Sequence, residues 1–141
     1  MMLIWIMRLE LISLLSKIYM VFELRLDSKL ILKSSMHNDL NLQNNLLIKF
    51  PKKLVQDEKI IILNGQRNNL DHLKMYNEID LGLDTFPYNG VTTSFEAAWM
   101  GVPTLTILGN NFVSRTGESI NKNLGLNNFI ATNKDDYIKK A

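Results

Sequence analysis

Apolar residues in this chain come in short unbroken runs. Lys29–Lys33 (KLILK), Lys59–Leu63 (KIIIL), Ile79–Leu83 (IDLGL) and Thr104–Leu108 (TLTIL) are followed by Ser34-Ser35, Asn64-Gly65, Asp84 and Gly109-Asn110. Short runs of this kind, closed by turn residues and lacking clean polar alternation, predict strands buried on both faces. Between and after them, Asn38–Phe50, Asn69–Asn77, Thr92–Met100, Ser114–Leu124 and Lys134–Lys140 read as helices. Strand alternating with helix at this spacing predicts an α/β fold, a parallel sheet flanked by helices. In such sheets ligands bind beyond the carboxyl ends of the strands. Those ends are Lys33-Ser34-Ser35, Asn64–Asn69, Asp84–Gly90 and Gly109–Ser114, all rich in polar, Gly and Asn residues.

The first 22 residues, Met1 to Phe22, are very apolar, but Arg8, Glu10 and Lys17 interrupt them. A membrane span needs roughly 20 predominantly apolar residues with few charges, and no small-residue cleavage site follows. The expectation is an amphipathic helix within residues 1–27, partly buried against the sheet and not stably inserted in a membrane. Residues 28–141 then form a single Rossmann-like lobe. Ala141 falls inside a helical pattern without a Gly cap or Pro stop, so an incomplete last element is expected.

Composition narrows the function classes. A chain of 141 residues with 46% hydrophobic content suffices for one core. Sixteen basic against fourteen acidic residues leave +2, scattered along the chain, so no nucleic-acid surface is indicated. The absence of cysteine excludes disulfides and thiol catalysis and fits a reducing compartment, taken as the cytoplasm. His37 and His72 are the only histidines and lie far apart, which argues against a histidine metal site.

The segment Asp80–Met100 (DLGLDTFPYNGVTTSFEAAWM) concentrates the special residue types. A strand enters a turn holding Pro87, Asn89 and Gly90, and Thr92 and Thr93 then open a helix as N-cap and first-turn residues. Helix N-termini attract phosphate, because their first N–H groups are unpaired and the dipole there is positive. Ordinary capping competes with that reading, since Glu96 follows Thr93 at capping-box spacing. Glu96 could instead accept hydrogen bonds from a ribose, although spacing alone favours the cap. Asn89-Gly90 could be a tight turn with Gly at positive φ. Asp84 is expected to tie down that turn. His72 is either a surface histidine or a ligand contact, and Arg115 either a phosphate partner or a solvated helix residue. Trp99 and Met100 read as core. No Ser–His pair, paired carboxylates or Walker loop is visible, so the catalytic residues stay unknown.

The run LDTFPYNGVTTSFEAAWMGVPTLTILG, with Ser114-Arg115 and Gly125-Leu126 beyond it, resembles the C-terminal catalytic lobe of the O-linked N-acetylglucosamine transferase family, including its SPINDLY-like relatives. The resemblance is dense from about Ser28 to Ala131. It implies the C-terminal half of a two-lobe GT-B glycosyltransferase, which transfers a sugar from UDP-N-acetylglucosamine to a Ser or Thr hydroxyl. Thr92 and Thr93 fall on the family's diphosphate contacts, Glu96 on its ribose ligand and His72 on its uracil contact. The nucleotide sugar is a substrate, and neither cofactor nor metal is implied. Val91 stands where animal members have a histidine, and Asn69 where they have a lysine, so Arg67 or Lys74 would have to supply that cation. The protein acceptor and the proposed catalytic histidine belong to the N-terminal lobe, so a fragment inactive alone is expected. Two alternatives stay open: a non-catalytic nucleotide-binding or interaction module that self-associates through its exposed apolar face, and a fucosyltransferase-type relative using GDP-fucose.

Overall fold

The computed structural model describes residues 2–6, 30–34, 60–63 and the continuous stretch 68–141. Six strands form one sheet: β1 (Met2–Ile6), β2 (Leu30–Ser34), β3 (Ile60–Leu63), β4 (Leu81–Leu83), β5 (Thr104–Ile107) and β6 (Ile130–Ala131). Their order is β3-β2-β1-β4-β5-β6 and every pairing is parallel. The helices are α1 (Asn69–Lys74), α2 (Thr92–Trp99), α3 (Phe112–Asn123) and α4 (Lys134–Lys140), with 3₁₀ turns at Met75–Glu78 and Asn127–Phe129. The parallel, helix-flanked Rossmann-like sheet is as expected, and its strand order is the Rossmann order. β1 pairs with β2 on one side (Met2↔Leu30) and with β4 on the other (Ile4↔Leu83). The strand order therefore reverses between β1 and β4, where such sheets open a crevice for ligands.

The N-terminal expectation is corrected. Met2–Ile6 is the central strand of the sheet, not the start of an amphipathic helix. The reason is physical: a central parallel strand is buried on both faces, so it reads as a continuous apolar run that periodicity alone cannot tell from a buried helix. The remainder of residues 1–27 and the helix expected at Asn38–Phe50 lie outside the described residues. β6 is a further addition, two residues long and preceded by a 3₁₀ turn. Among the described residues no helix is long and apolar enough to cross a membrane.

Two groups of buried side chains hold the described part together. Tyr76, Ile79, Ala97 and Val102 form one cluster, with Leu73, Met75 and Met100 against it. Leu83, Leu105, Ile107, Ile120, Ile130, Ala131 and Tyr137 are buried along β4, β5 and β6 and the helices α3 and α4. Trp99, expected in the core, is instead 87% exposed. Helix α2 buries Ser94 and Ala97, and a residue two positions after Ala97 is turned about 200° around the helix. Gly101 ends α2 at φ 81°, the left-handed conformation that glycine adopts without steric cost.

Candidate functional site

The site lies where β4 hands the chain to α2, beside the strand-order reversal. Asp84 leaves the sheet as its backbone N–H donates to Leu105 O at 2.9 Å. Its buried carboxylate then organises the turn. Oδ1 accepts from the N–H of Thr85 at 2.9 Å and of Gly90 at 2.8 Å, and Oδ2 accepts from Thr106 Oγ1 at 2.8 Å. Asp84 is thus the turn-fastening residue expected from the sequence. Burial pushes its carboxyl up to about 6, although the hydrogen bonds from Gly90, Thr106 and Thr85 pull the other way.

Asn89, expected as a ligand contact, faces the interior of the turn. It is 2% exposed and spends its side chain inward, donating to Thr85 O at 2.9 Å and accepting from Gly117 N at 3.3 Å. Its own N–H donates to Val113 O. A buried carboxamide has to satisfy both ends, and here the protein satisfies both. The Thr85 hydroxyl donates to Tyr88 O within the same turn, whose Phe86-Pro87 peptide is cis. Gly90 is needed for closeness rather than for positive φ: a Cβ there would lie 2.3 Å from Thr93 Oγ1.

The N-cap of α2 lies one residue earlier than expected. Phe95 N–H donates to Val91 O, so Val91 is the N-cap and Thr92 and Thr93 both lie in the first turn. Valine has no side-chain acceptor, and no side chain caps this end. The capping box that competed for Glu96 is not formed. Glu96 Oε2 pairs instead with His72 Nε2 at 2.9 Å, on a ring that stands edge-on to Tyr76. Tyr76 in turn donates from its hydroxyl to Thr93 O at 3.4 Å, fastening α1's side of the site to α2.

His72, Thr92 and Glu96 line one groove of about 540 Å³ together with Leu73, Val91, Phe95 and Trp99, a volume within the range of small-molecule sites. Thr93 and Gly90 line a second, small cavity with Asp84, Tyr76 and Ser94. Arg115 lies apart. It donates from Nε to Glu118 at 3.2 Å and borders a separate recess along α3. Lys122 and Arg115 together hold the Glu118 carboxyl below the usual range, which is the behaviour of a solvated helix residue in an ion pair. Sequence reasoning missed Tyr76 and the exposed stripe Val91, Phe95 and Trp99, although the spacing of that stripe (i, i+4, i+8) is visible in the sequence.

Fold and site define a Rossmann-like lobe with an uncapped, threonine-lined helix end at its crevice. The sequence profile of glycosyl transferase family 41 matches residues 38–141, and the chain belongs to that family. Over 73 residues, 52% of this chain, it is 44% identical to the probable UDP-N-acetylglucosamine--peptide N-acetylglucosaminyltransferase SPINDLY of Solanum lycopersicum, and it covers 8% of that protein. The SPINDLY protein of Arabidopsis thaliana is 41% identical over 71 residues, again with 8% of its length covered. Among solved structures, a mutant O-GlcNAc transferase from Thermobaculum terrenum superposes with a TM-score of 0.84 at 30% identity, covering 99% of this chain and 27% of that one.

Proposed function

We propose that this lobe holds the diphosphate of a nucleotide sugar, UDP-N-acetylglucosamine, for transfer of the sugar to a Ser or Thr hydroxyl of a protein. The open first turn of α2 carries the proposal: Thr92 and Thr93 supply hydroxyls where the backbone N–H groups lack intrahelical partners, at the crevice of the sheet. As the glycosidic bond breaks, negative charge grows on the departing diphosphate, and donors fixed in advance stabilise it without reorganising. No metal or cofactor enters this reading. Glu96 and His72 border the same groove and are assigned to the ribose and the base. Because the chain spans 8% of the curated relatives it matches, the acceptor side of the reaction is proposed for the whole protein. The cysteine-free composition supports a reducing, cytoplasmic setting.

Isothermal titration calorimetry tests the assignment. UDP should bind the chain, and Thr92→Ala/Thr93→Ala should weaken binding at least ~100-fold, given roughly 1.5–3 kcal/mol for each of two hydrogen bonds to a charged group. Tighter binding of GDP would move the donor to a guanine nucleotide sugar. No heat with either nucleotide would remove the proposal.

A further inference from the structure

The carboxylate of Asp84 belongs to no step described so far, yet it lies beneath the helix end proposed to receive the diphosphate. It is 6% exposed and faces α2 through Gly90. A Cβ placed on Gly90 would stand 3.7 Å from Asp84 Oδ1 and 2.3 Å from Thr93 Oγ1, so the two oxygens lie within about 6 Å of one another, and a phosphate oxygen accepting from the Thr93 hydroxyl would lie at most roughly 3 Å further from the carboxylate, about one screening length at physiological salt. Asp84, Gly90, Thr93 and Ser94 line the same small cavity, and Ser94 Oγ donates to Gly90 O at 2.8 Å. Gly90 is therefore fastened at its N–H by Asp84 and at its carbonyl by the helix it precedes.

Resting on the reading above, we propose that Asp84 is a positioning residue for nucleotide binding: it holds Gly90 beneath Thr93, and its charge opposes the bound diphosphate, so proton uptake at Asp84 strengthens binding. Among the described residues, the titratable groups around it are two phenols. Tyr137 of α4 donates to Asp84 O at 3.0 Å, and Tyr76 shares the small cavity. β5 presents Thr106 and α3 presents Gly117, neither of which titrates. Burial, with Asp84 adding to it, holds the Tyr137 phenol well above its ordinary range, so Tyr137 stays neutral across the pH range that matters.

The test is UDP calorimetry on the full chain at pH 5.0 and 7.5, for the wild type, Asp84→Asn and Asp84→Ala. Asn keeps an acceptor for both N–H groups and removes the charge. Its affinity should match the wild type at pH 5.0 and exceed it about threefold or more at pH 7.5. Ala removes the acceptor and the charge together, and relative to wild type should weaken binding about tenfold at pH 5.0 and only about threefold at pH 7.5. The ratio to wild type cancels the ionisation of UDP itself. If Asp84→Ala does not fold, the pH dependence of the Asn ratio decides alone. An Asn ratio that is the same at both pH values overturns the role of Asp84 and leaves the diphosphate assignment standing. Failure of the wild type to bind UDP at either pH overturns both.

Discussion

Helices α2 and α3 leave the carboxyl edge of the sheet after neighbouring strands, and their first turns are finished in opposite ways. At α3, Asn111 accepts from Ser114 N–H at 3.0 Å while Ser114 Oγ reaches back to the Asn111 N–H at 3.2 Å, a closed reciprocal cap. α1 and α4 are likewise capped by Asn68 and Asn133. At α2 the same position holds Val91, which offers nothing, and the two threonines that follow do not turn back to close the end. A capped terminus has used its donors on the chain itself and gains about 1 kcal/mol for it. An uncapped one keeps them for something else. The contrast sets a helix end closed by its own chain beside one that no side chain closes, and the proposed diphosphate site is the second.

Giving α2 the cap it lacks should produce the largest effect. Val91→Asp would satisfy first-turn N–H groups and place a carboxylate where the diphosphate is expected. UDP affinity should fall at least ~100-fold while stability in urea rises by about 1 kcal/mol. Stronger UDP binding by this variant would contradict the assignment of α2.

The turn that serves the open end should also show in the pH dependence of stability. The folded pKa of Asp84, about 6, exceeds its ordinary value of 3.8, so the folded chain holds a proton that the unfolded chain has released. The contribution is full below about pH 4 and is lost as pH rises through 6. The stability of the wild type relative to Asp84→Asn should accordingly fall by on the order of 2–3 kcal/mol as pH rises over that window. A flat difference in urea titrations at matched pH would place Asp84 in contact with water. Gly90→Ala should displace the Thr93 hydroxyl it would strike and weaken UDP about tenfold, as calorimetry would show. The smallest effect belongs to the closed end. Asn111→Ala should cost about 1 kcal/mol of stability and leave UDP affinity within about twofold.

The stretch from β4 through β5 was legible in the sequence because its signals are local: Pro87, Asn89 and Gly90 mark the turn, and the short apolar runs mark the strands. The helices at Thr92 and Lys134 were placed to within a residue, and Asp84 in its fastening role. What escaped depends on contacts distant in sequence. Met2–Ile6 is a strand because β2 and β4 flank it. Glu96 turned to His72, 24 residues away, instead of to its own helix end. The side chain of Asn89 is satisfied by Thr85 and by Gly117, 28 residues on, so a residue type common in binding loops serves the fold. Trp99 read as core from its chemistry, and only the orientation of an eight-residue helix set it outside.

The hydroxyl of Tyr137 has a practical consequence for handling the protein. It reaches across from α4 to the carbonyl of Asp84, 53 residues earlier, and so pins the last helix to the base of the turn that leads into α2. Trimming the chain before that helix, or straining it with a bulky fusion, would be felt first at the turn leading into α2. A shortened version could then keep its sheet and still bind nucleotide poorly, a defect easily mistaken for a wrong choice of ligand.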